Sequence, residues 1–120
     1  MMKNILSILA ILACFLVSTM AFAGEGPMNL PSGAKPEAKQ HNKEGIDHWN
    51  QGHYDVALKH FSMASKIDGS SGEIHFNEAI CYDKLGQHGV ATKNFGVALK
   101  QAGCNKKLLN SPILKGHLGM

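Results

Sequence analysis

A pattern of thirteen residues occurs twice in this chain. Residues 52–64 read G-H-Y-D-V-A-L-K-H-F-S-M-A, and residues 86–98 read G-Q-H-G-V-A-T-K-N-F-G-V-A. The copies share Gly, Val, Ala, Lys, Phe and a final Ala, each pair separated by 34 residues. A fixed period of this length indicates stacked helical units, in which each unit packs on its neighbour.

The apolar residues around both copies recur at steps of three and four, which is the spacing of one helix face. Turn residues interrupt this pattern, and Gly86 is expected to take a left-handed conformation that reverses the chain. The sequence therefore predicts an all-α fold of two antiparallel helical hairpins, over residues 40–71 and 72–105. Small residues would let the helices of each hairpin cross closely, and a phenylalanine would fill the space one turn further along.

The same residues resemble the tetratricopeptide repeat, whose second helix carries A-x3-F and whose period is 34 residues. Ala57 with Phe61, and Ala91 with Phe95, match that motif. The chain departs from the family pattern in the first helix of each unit, where His and Glu replace the usual Trp and Leu: His41, Glu44, His75 and Glu78.

The resemblance implies that the first helices line a concave groove that holds a peptide. The side-chain amides of Asn42 and Asn77 would bond the peptide backbone, while Trp49 and Phe76 would supply contact area. The groove residues carried over are Asn42, Ile46, Trp49, Asn50, Phe76, Asn77, Ile80, Asp83 and Lys84.

Residues 106–120 follow the second unit and contain Ser111-Pro112. Serine is a favoured N-cap and proline is tolerated at the first helical position, so this pair predicts a short helix. A terminal segment of this kind would cover the apolar side of the second hairpin, as repeat arrays require.

Residues 1–23 are typical of a secretory signal peptide, with an early lysine, an apolar run and A-F-A before Gly24. We expect cleavage after Ala23 and a periplasmic or secreted protein, with membrane contact only through the transient signal. Ile-Leu-Ala-Cys at residues 11–14 resembles a lipobox, so a lipoprotein anchored at Cys14 is the alternative. Residues 24–39 carry three of the four prolines with several glycines, which predicts a disordered linker.

The composition bears on partners and chemistry. All twelve basic residues are lysine, which argues against a dedicated nucleic-acid reader because arginine is the favoured residue there. No phosphate-binding loop, dinucleotide motif or catalytic triad can be assembled, so we expect a non-enzymatic protein without a cofactor. Cys81 and Cys104 are expected to remain unbridged because the fold separates them.

Seven histidines raise the alternative of a metal-binding helical protein. His41, Glu44 and His48 lie at i, i+3 and i+7 on one predicted helix face, and His75 and Glu78 repeat the first two positions. The spacing places His53 and His60 toward solvent. The preferred function remains a protein-protein interaction module, an adaptor or assembly factor of the bacterial cell envelope. A homo-oligomeric structural subunit with Trp49 at its contact is a further alternative, because two units are few for a stable stack.

Overall fold

The structure is a computed structural model that describes residues 24–120. The predicted signal peptide and Cys14 lie outside this range. Among the helices formed by residues 24–120, none combines the length and apolar character needed to span a membrane.

The described chain is entirely helical apart from its connections. Two long antiparallel hairpins, α1 with α2 and α3 with α4, pack side by side through α2 and α3. This confirms the predicted all-α class of helical hairpins. The six helices are α1 (Pro36–Asn50), α2 (Tyr54–Ile67), α3 (Gly72–Lys84), α4 (His88–Lys100), α5 (Lys106–Leu109) and α6 (Pro112–Leu118).

The two hairpin turns have the same geometry because both contain a glycine in the left-handed region. Gly52 has φ 79° and Gly86 has φ 80°, a conformation that costs glycine little. In each turn the next backbone N–H donates to a carbonyl five residues earlier, from His53 to His48 and from Gln87 to Tyr82, both at 2.9 Å. The two repeated segments therefore share the backbone hydrogen bond of the turn as well as their residue types.

Alanine and phenylalanine of the repeated pattern form the centre of each hairpin. Ala57, Phe61, Ala91 and Phe95 are all fully buried. Gly45 on α1 faces the Phe61 ring so closely that a methyl group there would lie 2.5 Å from Phe61 Cε1. The small residue is therefore required by the packing between α1 and α2.

The C-terminal segment closes the apolar side of the second hairpin. Leu108 on α5 and Leu114 on α6 are fully buried and belong to the same cluster as Phe95. The Asn105 and Ser111 side chains cap these helices by accepting from the N–H groups of Leu108 and Leu114. The N-cap predicted at Ser111 is confirmed.

Residues 24–35, which we call the strap, correct the expected unpacked linker over residues 24–39. Helix α1 already begins at Pro36, and Met28 in the strap is only 6% exposed. The prolines and glycines do exclude helix from the strap. They do not exclude a non-helical chain whose backbone polar groups bond to a neighbouring surface of the protein.

The close approach at Gly45 gives a stability prediction with a matched control. Gly45→Ala should lower the free energy of unfolding by about 1–3 kcal/mol, because the new methyl group displaces the buried Phe61 ring. Gly96→Ala, also within a helix but with nothing near the added carbon, should raise it by about 0.5–1 kcal/mol. Urea denaturation of both variants measures this. A stabilising Gly45→Ala would contradict the packing described here.

Candidate functional site

The first helices of the two hairpins hold the peptide backbone of Met28 between two asparagine side chains. The Met28 N–H donates to Asn77 Oδ1 at 2.7 Å. The Met28 carbonyl accepts from Asn77 Nδ2 at 2.8 Å and from Asn42 Nδ2 at 3.0 Å. Asn77 Nδ2 also donates to Asn42 Oδ1 at 2.7 Å, which ties the amides together. Both backbone polar groups of one residue are thus satisfied inside the protein.

The network fixes the orientation of both side-chain amides. The Met28 N–H needs an acceptor, so the Asn77 oxygen must face it, and both Asn77 hydrogens then point to oxygens. Both asparagines are almost completely buried. A buried amide without partners costs roughly 1–3 kcal/mol, and the Met28 backbone supplies the partners that this pair needs.

The side chains of the strap extend this contact into both hairpin cores. Met28 belongs to the apolar cluster of the second hairpin with Phe76 and Ile80. Leu30, two residues later, packs on the cluster that contains Ala57 and Phe61 of the first hairpin. The strap therefore bridges the two cores as well as bonding to both helices.

Further contacts secure the strap along its length. Near its start, Glu25 Oε2 accepts from Ser111 Oγ at 3.1 Å and from the Ile113 N–H at 2.9 Å, at the beginning of α6. At its end, the Lys35 N–H donates to Asp68 Oδ2 at 3.1 Å. Hydrogen bonds from the Ser70 hydroxyl, which has the largest effect, and from the N–H groups of Lys35 and Ser70 lower the pKa of the Asp68 carboxyl group. The strap thus runs from the C-terminal helix to the turn between the hairpins.

The predicted groove residues separate into three groups in the structure. Asn42 and Asn77 bond the Met28 backbone of this chain, and their contact with a partner peptide stays a prediction. Phe76 and Ile80 form the floor beneath Met28, Ile46 packs on the first core, and Asp83 faces the C-terminal helix. The remaining three, Trp49, Asn50 and Lys84, line an open cavity of about 330 Å³ with Tyr54 and the start of the strap.

This open cavity is the part of the groove that the strap leaves accessible. The Trp49 and Tyr54 rings meet edge to face with centroids 4.7 Å apart. Lys84 Nζ lies 5.7 Å from the centre of the Tyr54 ring, within the range of a cation–π contact. Aromatic surface beside a cation suits a peptide that carries an acidic group or a terminal carboxylate.

The predicted metal candidates are divided between two places. His41 and Glu44 on α1 meet His60 on α2, and the ligand atoms of these three residues all lie within 4.8 Å of one another. His48 stacks on His60, with centroids 5.3 Å apart and planes 8° apart. Sequence spacing missed His60 because the register between α1 and α2, and not the position along α2, turns it toward α1.

His75 and Glu78 take part in a different contact, between the hairpins. His75 Nε2–H donates to the Gly69 carbonyl at 2.8 Å, and its Nδ1 lies 3.3 Å from Glu78 Oε1. The Ser62 hydroxyl of α2 donates to the other Glu78 oxygen at 3.3 Å. The Glu78 carboxylate raises the pKa of His75 above its ordinary value, against the opposing effect of partial burial.

A third histidine group connects α3 to the C-terminal helix. Asp83 Oδ1 lies 2.7 Å from His88 Nδ1 and 2.8 Å from His117 Nε2, and His117 Nδ1 lies 2.8 Å from Thr92 Oγ1. Burial alone would raise the pKa of Asp83, but the two histidines together lower it. Because the atoms facing one another are already hydrogen-bonded, this group is explained as a structural connection. No spacing or motif in the sequence indicated this role for His117.

The two cysteines within residues 24–120 are free. Burial raises the pKa of Cys81 to about 12, which makes its thiol unreactive, whereas Cys104 is exposed.

No protein-family model and no curated protein matches this sequence.

The asparagine pair predicts how the strap responds to substitution. Asn77→Ala leaves the buried Met28 N–H without its acceptor, so the strap should detach and stability should fall by about 1–3 kcal/mol. Hydrogen exchange at the Met28 amide should become fast in this variant, while Asn94→Ala on α4 should leave it protected. Exchange at Met28 in the unmodified protein as fast as in a free peptide would contradict the described strap.

The raised pKa of His75 predicts a pH-dependent contribution to stability. The charged form is favoured in the folded state, so the stabilisation is complete below the ordinary histidine pKa and is lost as pH rises through the raised value. The difference in unfolding free energy between the unmodified protein and His75→Gln should therefore shrink from pH 5.5 to 8.5. Urea denaturation across this range measures the difference, and His53→Gln serves as the control. A difference that grows with pH would refute the assignment.

Proposed function

We propose that this chain is a non-catalytic protein-protein interaction module, an adaptor or assembly factor of the bacterial cell envelope. It binds an extended segment of a partner along the groove between α1 and α3. The observation that carries this proposal is the pairing of Asn42 and Asn77 with both backbone groups of Met28. The resemblance to tetratricopeptide repeats and the signal-like residues 1–23 support the class and the compartment.

The asparagine pair recognises a feature that every extended peptide has. An N–H and a carbonyl from one residue satisfy it, so affinity comes from the backbone. Selectivity comes from the apolar floor formed by Phe76 and Ile80, which takes an unbranched side chain such as Met28. The cavity beside Trp49 and Lys84 supplies a second point of selection.

The strap is the resident occupant that a partner has to replace. A segment joined to its own binding site acts at an effective concentration in the millimolar range. Weak or non-specific peptides therefore fail to enter the groove. A partner that also fills the cavity beside Trp49 gains contacts that the strap lacks, and this difference drives the exchange.

A competition experiment tests the proposal directly. The unmodified protein is used to capture partners from a native envelope extract without cross-linking, and a synthetic peptide of residues 24–35 is then added in excess. The peptide should release the partner, whereas the same peptide carrying Met28→Asp should not, because a carboxylate cannot enter the apolar floor.

Protein variants provide the matching controls. Met28→Asp in the protein should increase capture by preventing the strap from seating, and adding Asn77→Ala should abolish that gain. Asn94→Ala, which removes an amide on the outer surface of α4, should change nothing. Partner capture that is unchanged by substitution of Met28, Asn77 and Trp49 would refute binding in the groove. A changed oligomeric state in Trp49→Ala, with capture retained, would favour the homo-oligomeric subunit instead.

A further inference from the structure

We infer that His41, Glu44 and His60 form a binding site for a divalent transition-metal ion, with Zn²⁺ as the best-fitting ion. The site joins α1 to α2 within the first hairpin. It lies outside the strap contacts described above, and it does not depend on the proposed peptide binding.

The first observation is the geometry of the three ligands. Glu44 Oε2 lies 3.0 Å from His60 Nδ1 and 3.6 Å from His41 Nδ1. In a tetrahedral zinc site with bonds of about 2.0–2.1 Å, neighbouring ligand atoms lie about 3.3 Å apart. The two distances bracket this value, and all three ligand atoms lie within 4.8 Å of one another, so side-chain rotations would bring them around one ion.

The second observation is that the ligand nitrogens lack hydrogen-bond partners. His41 Nδ1, His48 Nδ1 and His60 Nδ1 are each shielded from solvent and unpaired within the described chain. His60 Nδ1 is close to Glu44 Oε2 without the alignment of a hydrogen bond. Buried ring nitrogens without partners are costly, and a metal ion would satisfy two of them at once.

The third observation concerns the residues around the ligands. Gln40 Nε2 donates to Glu44 Oε1 at 3.2 Å, which leaves Oε2 directed at the histidines. His48 stacks on the His60 ring. Such outer contacts fix the orientation of metal ligands and commonly raise affinity. Three protein ligands leave one coordination position for water.

The comparison with Asp83, His88 and His117 makes the assignment specific. That group also places three ligand atoms within 4.8 Å of one another. Its facing atoms, however, are paired at 2.7 and 2.8 Å, and His117 Nδ1 is paired with Thr92. A metal ion there would have to break existing hydrogen bonds, whereas at the His41 group it would supply missing ones.

Calorimetric titration with Zn²⁺ alone tests the site in untagged protein, with Co²⁺ absorption reporting the geometry. We expect one equivalent of Zn²⁺ and visible Co²⁺ bands of a tetrahedral N/O site. His60→Gln and Glu44→Gln should each weaken binding about tenfold or more. His53→Gln and His88→Gln, which remove exposed imidazoles, should leave the affinity unchanged, and circular dichroism verifies the fold of each variant.

Three results would overturn the assignment. The first is no saturable binding of Zn²⁺ by the folded protein. The second is binding that survives both His60→Gln and Glu44→Gln but is lost in Asp83→Asn, which would place the ion at the other group. The third is weak binding of several equivalents of Zn²⁺ that decreases equally whichever histidine is substituted, which would mean adventitious surface binding only. Loss of partner capture in the groove variants has no bearing on these outcomes, so the two proposals fail independently.

Discussion

The hydrogen bonds of the Met28 backbone connect the first helices of the two hairpins and determine where the strap lies. The Met28 carbonyl receives one hydrogen bond from α1 and one from α3, and its N–H donates to the same α3 side chain. Without that peptide, the two buried asparagines would retain only their bond to each other. The groove is therefore built for an extended chain, and an empty groove would carry the cost of unsatisfied amides.

The strap also covers apolar surface of the two hairpins. Stacked repeats bury their apolar faces against neighbours, and terminal units need covering. Here α5 and α6 cover one side of the second hairpin with Leu108 and Leu114, and the strap places Met28 and Leu30 on the two cores. Glu25 of the strap accepts hydrogen bonds at the start of α6, so the strap and the C-terminal helices are also joined to each other. The strap, α5 and α6 therefore cover apolar surfaces that the two hairpins alone would leave exposed.

Most of the scaffold was predictable from the sequence, because it depends on local rules. The helical spacing, the left-handed turn at Gly86 and the buried Ala91 and Phe95 follow from periodicity and residue type. The strap was not predictable by these rules. Its prolines and glycines exclude helix, but they do not determine whether the backbone forms hydrogen bonds with water or with protein. The protein partners are Asn42 and Asn77, which lie elsewhere in the chain. His60 was misplaced for a related reason, since its direction depends on how α2 packs against α1.

The 34-residue period does not relate the two asparagines that form the site. A period of 34 residues would pair Asn42 with Phe76, yet the side chain that meets Asn42 is Asn77. The reason is geometric, because units stacked head to tail contact each other through two different faces, and facing residues need not be equivalent positions of the repeat. The internal packing of each hairpin is therefore repeated, while the surface between the hairpins is unique. A site between stacked units has to be found from the contacts, even where the units themselves are evident from the sequence.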